Sequence, residues 1–230
     1  MKRIKLEGYQ VYRSEHYLFC CKPDSYAAGE MEKIMRIQEE SYARIVRFLG
    51  VEPDFPIRYV LCENSEDVGR AYGDNEPCNG FAELPDTVFA VYSERVQCIG
   101  PHEDTHLIAA LRARPDSVFL REGLAMYMDQ TWWGRPNAVW TREFLCSGRY
   151  VSIEKLLDND SFWENPDEIT YPLAGAFTLW MIRQLGRQRY LEAVYVTGNQ
   201  ACGAIENAFG MPVAQVEQLF CGWVVQQAEV

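Results

Sequence analysis

Basic residues, histidine and long apolar runs are all scarce in this chain. The 22 Lys and Arg are outnumbered by 33 Asp and Glu, which gives a formal net charge of -11. A nucleic-acid groove needs clustered Lys and Arg to neutralise phosphates, so we expect no nucleic-acid partner. No run approaches the about 20 apolar residues of a membrane span, and Glu7 and Gln10 interrupt what would otherwise resemble a signal sequence. We therefore expect a cytoplasmic protein with no membrane partner.

The sequence also lacks any C-x-x-C pair. This absence argues against a zinc ribbon and against a thioredoxin-like redox site. Most of the eight cysteines have apolar neighbours, as Cys62 and Cys221 do, so we expect reduced thiols in the core. With 230 residues the chain can bury a full core, either as one domain or as two lobes.

The first hundred residues combine strand patterns with one long helical pattern. Aromatic and β-branched residues predict strands at 9–13, 16–21, 56–62 and 86–92, with the first two forming a hairpin. Between them, apolar residues recur at helical spacing over 27–49, and Gly50 is placed to end that helix. This half is therefore predicted to be a small sheet with a long helix.

After Gly100 the patterns are helical to the end, with no convincing strand. Gly100-Pro101 is predicted to open the first of these helices, since proline is tolerated at the first helical position. The predicted helices cover 101–113, 116–127, 172–185, 188–196, 201–209 and 212–227. Because the strands come first and the helices second, the fold class is predicted to be α+β.

Two of only three histidines lie four residues apart, in His102-Glu103-Asp104-Thr105-His106. On a helix, residues four apart lie on the same face, while the next residue is rotated by about 100°. Both imidazoles can thus reach one ion, with Glu103 beside it as a general base. The spacing predicts a zinc site.

A catalytic zinc usually takes three protein ligands and keeps one position for water, so a third donor is needed. His16 is the only other histidine, and it is remote in sequence. Glu122 is the candidate, because a helix rising from His106 and an antiparallel one returning to Glu122 cover similar distances, ~10 Å and ~9 Å at 1.5 Å per residue. We expect Gly123 to let these two helices approach closely. The predicted ligand set for one zinc ion is His102, His106 and Glu122.

The two motifs together resemble those of the gluzincin zinc metallopeptidases. The similarity is to the peptidase MA-like proteins related to M1 aminopeptidases, and the Glu122-Gly123-Leu124-Ala125 stretch is its more specific half. The resemblance implies a zincin-like fold with an N-terminal lobe at 1–98, a helical lobe at 99–230 and an active site in the cleft between them. It also implies a hydrolase in which Glu103 is the general base for a metal-activated water, acting on a peptide or protein substrate.

A third segment extends this similarity. Tyr171-Pro172-Leu173-Ala174-Gly175-Ala176-Phe177 is similar to the family segment whose tyrosine stabilises the oxyanion, which implies that role for Tyr171. The Gly-x-Met-Glu-Asn segment with which aminopeptidases hold a free amino terminus has no counterpart before the site. An endopeptidase is therefore favoured over an aminopeptidase.

Several alternatives stay open at this point. The chain could be a catalytically silent metal- or peptide-binding protein on a gluzincin scaffold. A cysteine hydrolase that pairs Cys98 with His102 is a more remote possibility, because no residue that would orient the pair is evident. The strand at 86–92 is either an ordinary sheet strand or an edge strand that pairs with extended peptide. Arg121 either contacts a substrate carboxylate or forms a surface salt bridge, and Trp132-Trp133 either line a cleft or pack in the core.

Overall fold

The computed structural model describes residues 8–73, 76–196 and 200–226 of the chain. The fold is α+β, as predicted, and consists of two compact units, Met1–Leu111 and Arg112–Val230. This division falls after the histidine helix, whereas the sequence places it before that helix, at residue 99. Among the described residues, no helix is both long enough and apolar enough to span a bilayer.

The first unit is built on a five-stranded mixed sheet. Its strands are β1 (Gln10–Arg13), β2 (Tyr17–Cys21), β3 (Ile57–Cys62), β4 (Gly80–Glu83) and β5 (Thr87–Val91). They lie in the order β1-β2-β3-β5-β4, with parallel pairs in the middle and an antiparallel pair at each edge. The predicted hairpin is the antiparallel pair β1 and β2.

Helices cover this sheet. The unit contains α1 (Tyr26–Gly29), α2 (Met31–Leu49), α3 (Ser65–Tyr72) and α4 (Pro101–Ala110). The long helix predicted over 27–49 is interrupted at Glu30, and Gly50 ends it in a left-handed conformation as expected. The rings of Tyr17, Phe19 and Tyr59 are fully buried and pack against one another. Val60, Cys62 and Val68 form part of a second apolar cluster.

Strand β5 is internal, so it is an ordinary sheet strand and not an edge strand that could pair with an extended peptide. It pairs with β3 on one side and with β4 on the other, and all five of its residues are buried. The edge position belongs instead to β4, which the sequence analysis missed. A strand of four residues, all only half-buried, carries too weak an alternation to be recognised.

The second unit is mainly helical. Its helices are α5 (Val118–Asp129), α6 (Asn137–Ser147), α7 (Ile153–Leu156), α8 (Asn159–Glu164), α9 (Asp167–Leu185), α10 (Arg187–Tyr190), α11 (Ala201–Phe209) and α12 (Val213–Gln226). A π-helical turn, Leu191–Tyr195, follows α10. A small hairpin of β6 (Thr131–Trp132) and β7 (Arg135–Pro136) lies in a region for which the sequence predicted no strand.

Helix α9 begins five residues before its predicted start at Pro172, which lies inside the helix. Proline there removes only the hydrogen bond to the carbonyl of residue 168, which lies in the exposed first turn. Tyr171 is consequently a helical residue.

None of the eight cysteines, all of which lie in the described part of the chain, forms a disulfide bond. Their expected core location holds for only three of them: Cys20, Cys21 and Cys62 are buried, and Cys146 is exposed.

Candidate metal centre

The residue that precedes the histidine helix α4 is held by a side chain from α2. Gly100 has no side chain with which to cap the helix, and its backbone N–H donates to Gln38 Oε1 at 2.6 Å. The same Gln38 amide donates from Nε2 to the Gly100 carbonyl at 3.1 Å. The buried Gln38 side chain thus bonds both the N–H and the carbonyl of Gly100, the residue before α4.

His102 and His106 lie on one face of α4, as their spacing predicted. Both are half-buried, and their ring centroids are 5.1 Å apart at an interplanar angle of 76°. Rings one helical turn apart and inclined in this way can direct a nitrogen each toward a common point.

Glu122 completes a group that can bind a metal ion. One ligand atom from each of His102, His106 and Glu122 lies within 4.8 Å of the other two. Around a tetrahedral zinc with bonds near 2.1 Å, neighbouring ligand atoms are about 3.4 Å apart, so small side-chain rotations bring these donors into range. Two imidazoles and a carboxylate are a donor set that zinc accepts. The residues therefore fit the predicted metal.

Glu103, the predicted base, lies against the backbone of the edge strand β4. A Cβ atom added to Gly80 would lie 3.0 Å from Glu103 Oε1, closer than an ordinary contact. The glycine leaves the space that the carboxylate occupies. Sequence reasoning found Glu103 but missed this neighbour, because the strand that supplies it was not recognised.

Asp104 is a functional candidate that sequence reasoning did not use. It is fully buried, and its Oδ2 accepts hydrogen bonds from the Tyr17 hydroxyl at 2.5 Å and from Gln38 Nε2 at 2.9 Å. Burial raises the pKa of this carboxyl to about 8, although both hydrogen bonds lower it. Asp104 lies two positions from each histidine, and this spacing places it on the face of α4 opposite the imidazoles. Sequence reasoning could have used this spacing to separate Asp104 from the metal ligands.

Gly123 serves a different contact from the predicted one. A Cβ atom at this position would lie 2.5 Å from Thr178 Oγ1 and 3.0 Å from the Ala174 carbonyl oxygen, both on α9. The glycine thus allows α5 and α9 to pack closely. This close packing holds the helix that carries Glu122.

Tyr171 lies on α9 within a group of aromatic rings. Its ring is half-buried, 5.3 Å from that of Trp132 and 5.9 Å from that of Phe162. One turn earlier on the same helix, Asp167 has a raised pKa because of desolvation and of the neighbouring carboxylates of Glu168 and Glu122. Of these three causes, the carboxylate of Glu122 contributes least.

Two of the other sequence candidates have structural roles. Arg121 donates from Nη1 to the carbonyl oxygens of Pro115 and Asp116 at 2.7 and 2.8 Å, and so stabilises the turn before α5. His16 Nδ1 lies 2.6 Å from Glu39 Oε2, and its ring stacks on Tyr42. Cys98 is half-buried, and its backbone N–H donates to the Val91 carbonyl.

The chain matches no protein-family model, and no curated protein matches it at a significant level. The choice of metal and reaction therefore depends on the chemistry of the side chains themselves. That chemistry comprises two imidazoles, a buried carboxylate and a second carboxylate on the same helix as the imidazoles.

Proposed function

We propose that this protein is a zinc-dependent, peptidase-like hydrolase of the gluzincin type. The observation that carries the proposal is the convergence of His102, His106 and Glu122, whose ligand atoms lie within 4.8 Å of one another. Glu103 follows the first ligand directly and is only half-buried, so its carboxylate can reach solvent and substrate. A zinc ligand set with an adjacent, accessible carboxylate is the arrangement that hydrolysis requires.

In this mechanism each residue has a separate task. His102, His106 and Glu122 hold the ion, which when bound supplies polarisation of the scissile carbonyl and acidification of water. Glu103 takes a proton from the attacking water and returns it to the leaving amine. Tyr171 donates a hydrogen bond to the oxyanion that forms on the substrate.

An endopeptidase is the proposed subtype. Glu103 lies beside the backbone of the edge strand β4, whose outer N–H and C=O groups are those that an extended peptide pairs with. The sequence has no segment similar to the amino-terminus clamp of the aminopeptidases. Cleavage within a chain is therefore favoured over removal of a terminal residue.

Metal analysis and turnover test the proposal together. We expect one equivalent of zinc in the wild type and in Glu103→Gln, and none in His106→Ala. Hydrolysis of a quenched fluorogenic peptide library is expected in the wild type and in the surface control Glu66→Gln, and in neither of the two site variants. The amide of Glu103→Gln keeps the shape of the side chain but cannot accept the proton.

Each failure has a distinct meaning. Substoichiometric zinc in metal-replete wild type overturns the metal site. Undiminished turnover in Glu103→Gln overturns the mechanism. Stoichiometric zinc with no hydrolysis of any library peptide overturns the enzyme assignment in favour of the catalytically silent metal- or peptide-binding protein.

A further inference from the structure

The hairpin formed by β6 and β7 places a tryptophan in an unusual backbone conformation. Its two turn residues, Trp133 and Gly134, both have positive φ, at 49° and 76°. Hairpin turns of this kind strongly prefer Asn-Gly, because a bulky side chain is strained in the left-handed region. The strain at Trp133 thus needs an explanation other than turn formation.

The indole of Trp133 is also 71% exposed, so it contributes little to the core. The hairpin behind it is nevertheless well supported. Trp140 Nε1 donates to the Trp132 carbonyl at 3.0 Å, and the Arg135 guanidinium lies over the Trp140 ring at 4.5 Å. An exposed, strained indole on a supported hairpin is typical of a binding residue.

Trp133 is one end of a continuous row of rings in the second unit, which we name the aromatic strip. Successive ring centroids along it are 6.3, 5.3, 5.9 and 5.3 Å apart. The strip consists, in spatial order, of Trp133, Trp132, Tyr171, Phe162 and Trp163. Phe162 is fully buried and anchors the row, whereas Trp163 at the far end is 56% exposed.

The chain around the aromatic strip is acidic. Between Leu156 and Ile182 the sequence has five acidic residues and no Lys, Arg or His. Three of these are exposed and lie next to strip residues: Glu164 follows Trp163, and Asp167 and Glu168 lie one turn before Tyr171. At the hairpin end, Arg135 shares the carboxylate of Glu143 with Arg149, at 2.6 and 3.2 Å. The excess of negative charge therefore lies at the Trp163 and Tyr171 end of the strip.

We propose that the aromatic strip binds a basic segment of the peptide substrate. Arginine or lysine side chains stack on the exposed indoles of Trp133 and Trp163 and pair with the carboxylates of Glu164, Asp167 and Glu168. An indole face attracts a cation through its quadrupole, and the flanking carboxylates add to that attraction. The inference rests on the proposed function, since Tyr171, the proposed oxyanion donor, lies in the middle of the strip.

Binding of a labelled peptide tests this without requiring turnover. The probe is a fluorescein-labelled alanine-rich peptide with several arginines, compared by anisotropy with counterparts in which norleucine or glutamate replaces every arginine. We expect the arginine peptide to bind at least about tenfold more tightly than either counterpart, and this preference to shrink as salt is added.

The variant Trp133→Asn removes the indole and suits the left-handed turn, so the hairpin is retained. We expect it to weaken binding of the arginine peptide about fivefold or more, and Glu168→Gln to weaken it by a smaller factor. Leu219→Asn is the control, because it removes another exposed apolar side chain, 54% accessible, from the same unit. Unchanged affinity in Trp133→Asn, or equal affinity for the norleucine peptide, overturns the proposal.

The same titration is carried out with and without a zinc chelator. Trp133-dependent binding that persists in the chelator supports the aromatic strip even if hydrolysis is never detected. Zinc-dependent hydrolysis with no preference for arginine peptides rejects the strip and leaves the proposed function intact.

Discussion

Gly80 and Glu103 are in direct contact across two elements that are far apart in sequence. A methyl group on Gly80 would lie 3.0 Å from Glu103 Oε1. Glycine at this position of the edge strand thus leaves room for the carboxylate that is the base of the proposed reaction.

Gly80→Ala is expected to lower turnover more than stability. The added methyl group displaces the end of a flexible side chain, which costs little folding free energy but moves the carboxylate from its position. We expect about tenfold or more loss of kcat with zinc binding unchanged. Gly203→Ala is the control, since nothing lies within 4 Å of its Cβ position. Equal kcat in Gly80→Ala and Gly203→Ala would contradict this role.

Gly123→Ala is expected to destabilise the second unit. The new methyl group would lie 2.5 Å from Thr178 Oγ1 and 3.0 Å from a backbone carbonyl of α9, which cannot move without separating the helices. Overpacking of this kind costs about 1–3 kcal/mol. Urea denaturation measures the loss, and Gly203→Ala again serves as the control. A denaturation midpoint equal to that of the wild type would show that α5 and α9 adjust freely.

Asp104→Ala is expected to be less stable than Asp104→Asn by about 1–3 kcal/mol. Both variants remove the cost of burying an ionisable carboxyl, but only alanine also removes the acceptor that the Tyr17 hydroxyl and the Gln38 amide share. Asp104→Asn keeps an acceptor oxygen in place. Chemical denaturation of both variants provides the comparison, and equal stabilities would argue against a hydrogen-bonding role.

Glu39 should contribute stability that depends on pH. Burial raises the pKa of its carboxyl, but hydrogen bonds from Ser14 and His16 outweigh burial and lower the pKa below its ordinary value. A carboxyl with a lowered pKa in the folded state stabilises it at neutral pH, and this stability is lost as the pH falls below about 5.

Glu39→Gln should therefore be less stable than the wild type at pH 7 and nearly as stable in acid. Denaturation midpoints across that pH range measure the effect. The control is Glu40→Gln, on the same helix, whose carboxylate is 66% exposed and pairs with Arg36. A pH dependence in Glu39→Gln that matches the wild type would assign the acid sensitivity to other groups.

The metal group is the part of the site that sequence reasoning predicted best. His102 and His106 follow from helical spacing alone, and Glu122 follows from the rise of two helices joined by a short turn. Both arguments use local geometry, which a single sequence contains. The same kind of reasoning predicted the end of α2 at Gly50 and the start of α4 at Pro101.

Contacts between elements that are far apart in the sequence were harder to predict. The sequence shows that Gly123 is small but not that its neighbour is α9. It shows that Asp104 points away from the histidines but not that Tyr17 and Gln38 donate hydrogen bonds to it. Pro172 is typical of the first turn of a helix. Periodicity does not reveal that α9 begins earlier, in the acidic turn at Asp167 and Glu168.

The sequence by itself thus determined the α+β class, most of the helices and the three residues of the metal group, because each depends on periodicity or on short-range geometry. Only the tertiary structure decided that β4 rather than β5 lies at the sheet edge beside Glu103. It alone assembled the row of rings from Trp133 to Trp163. Strand order and helix packing bring together residues that are tens of positions apart. Both depend on which apolar faces bury each other, and no local sequence pattern encodes that pairing.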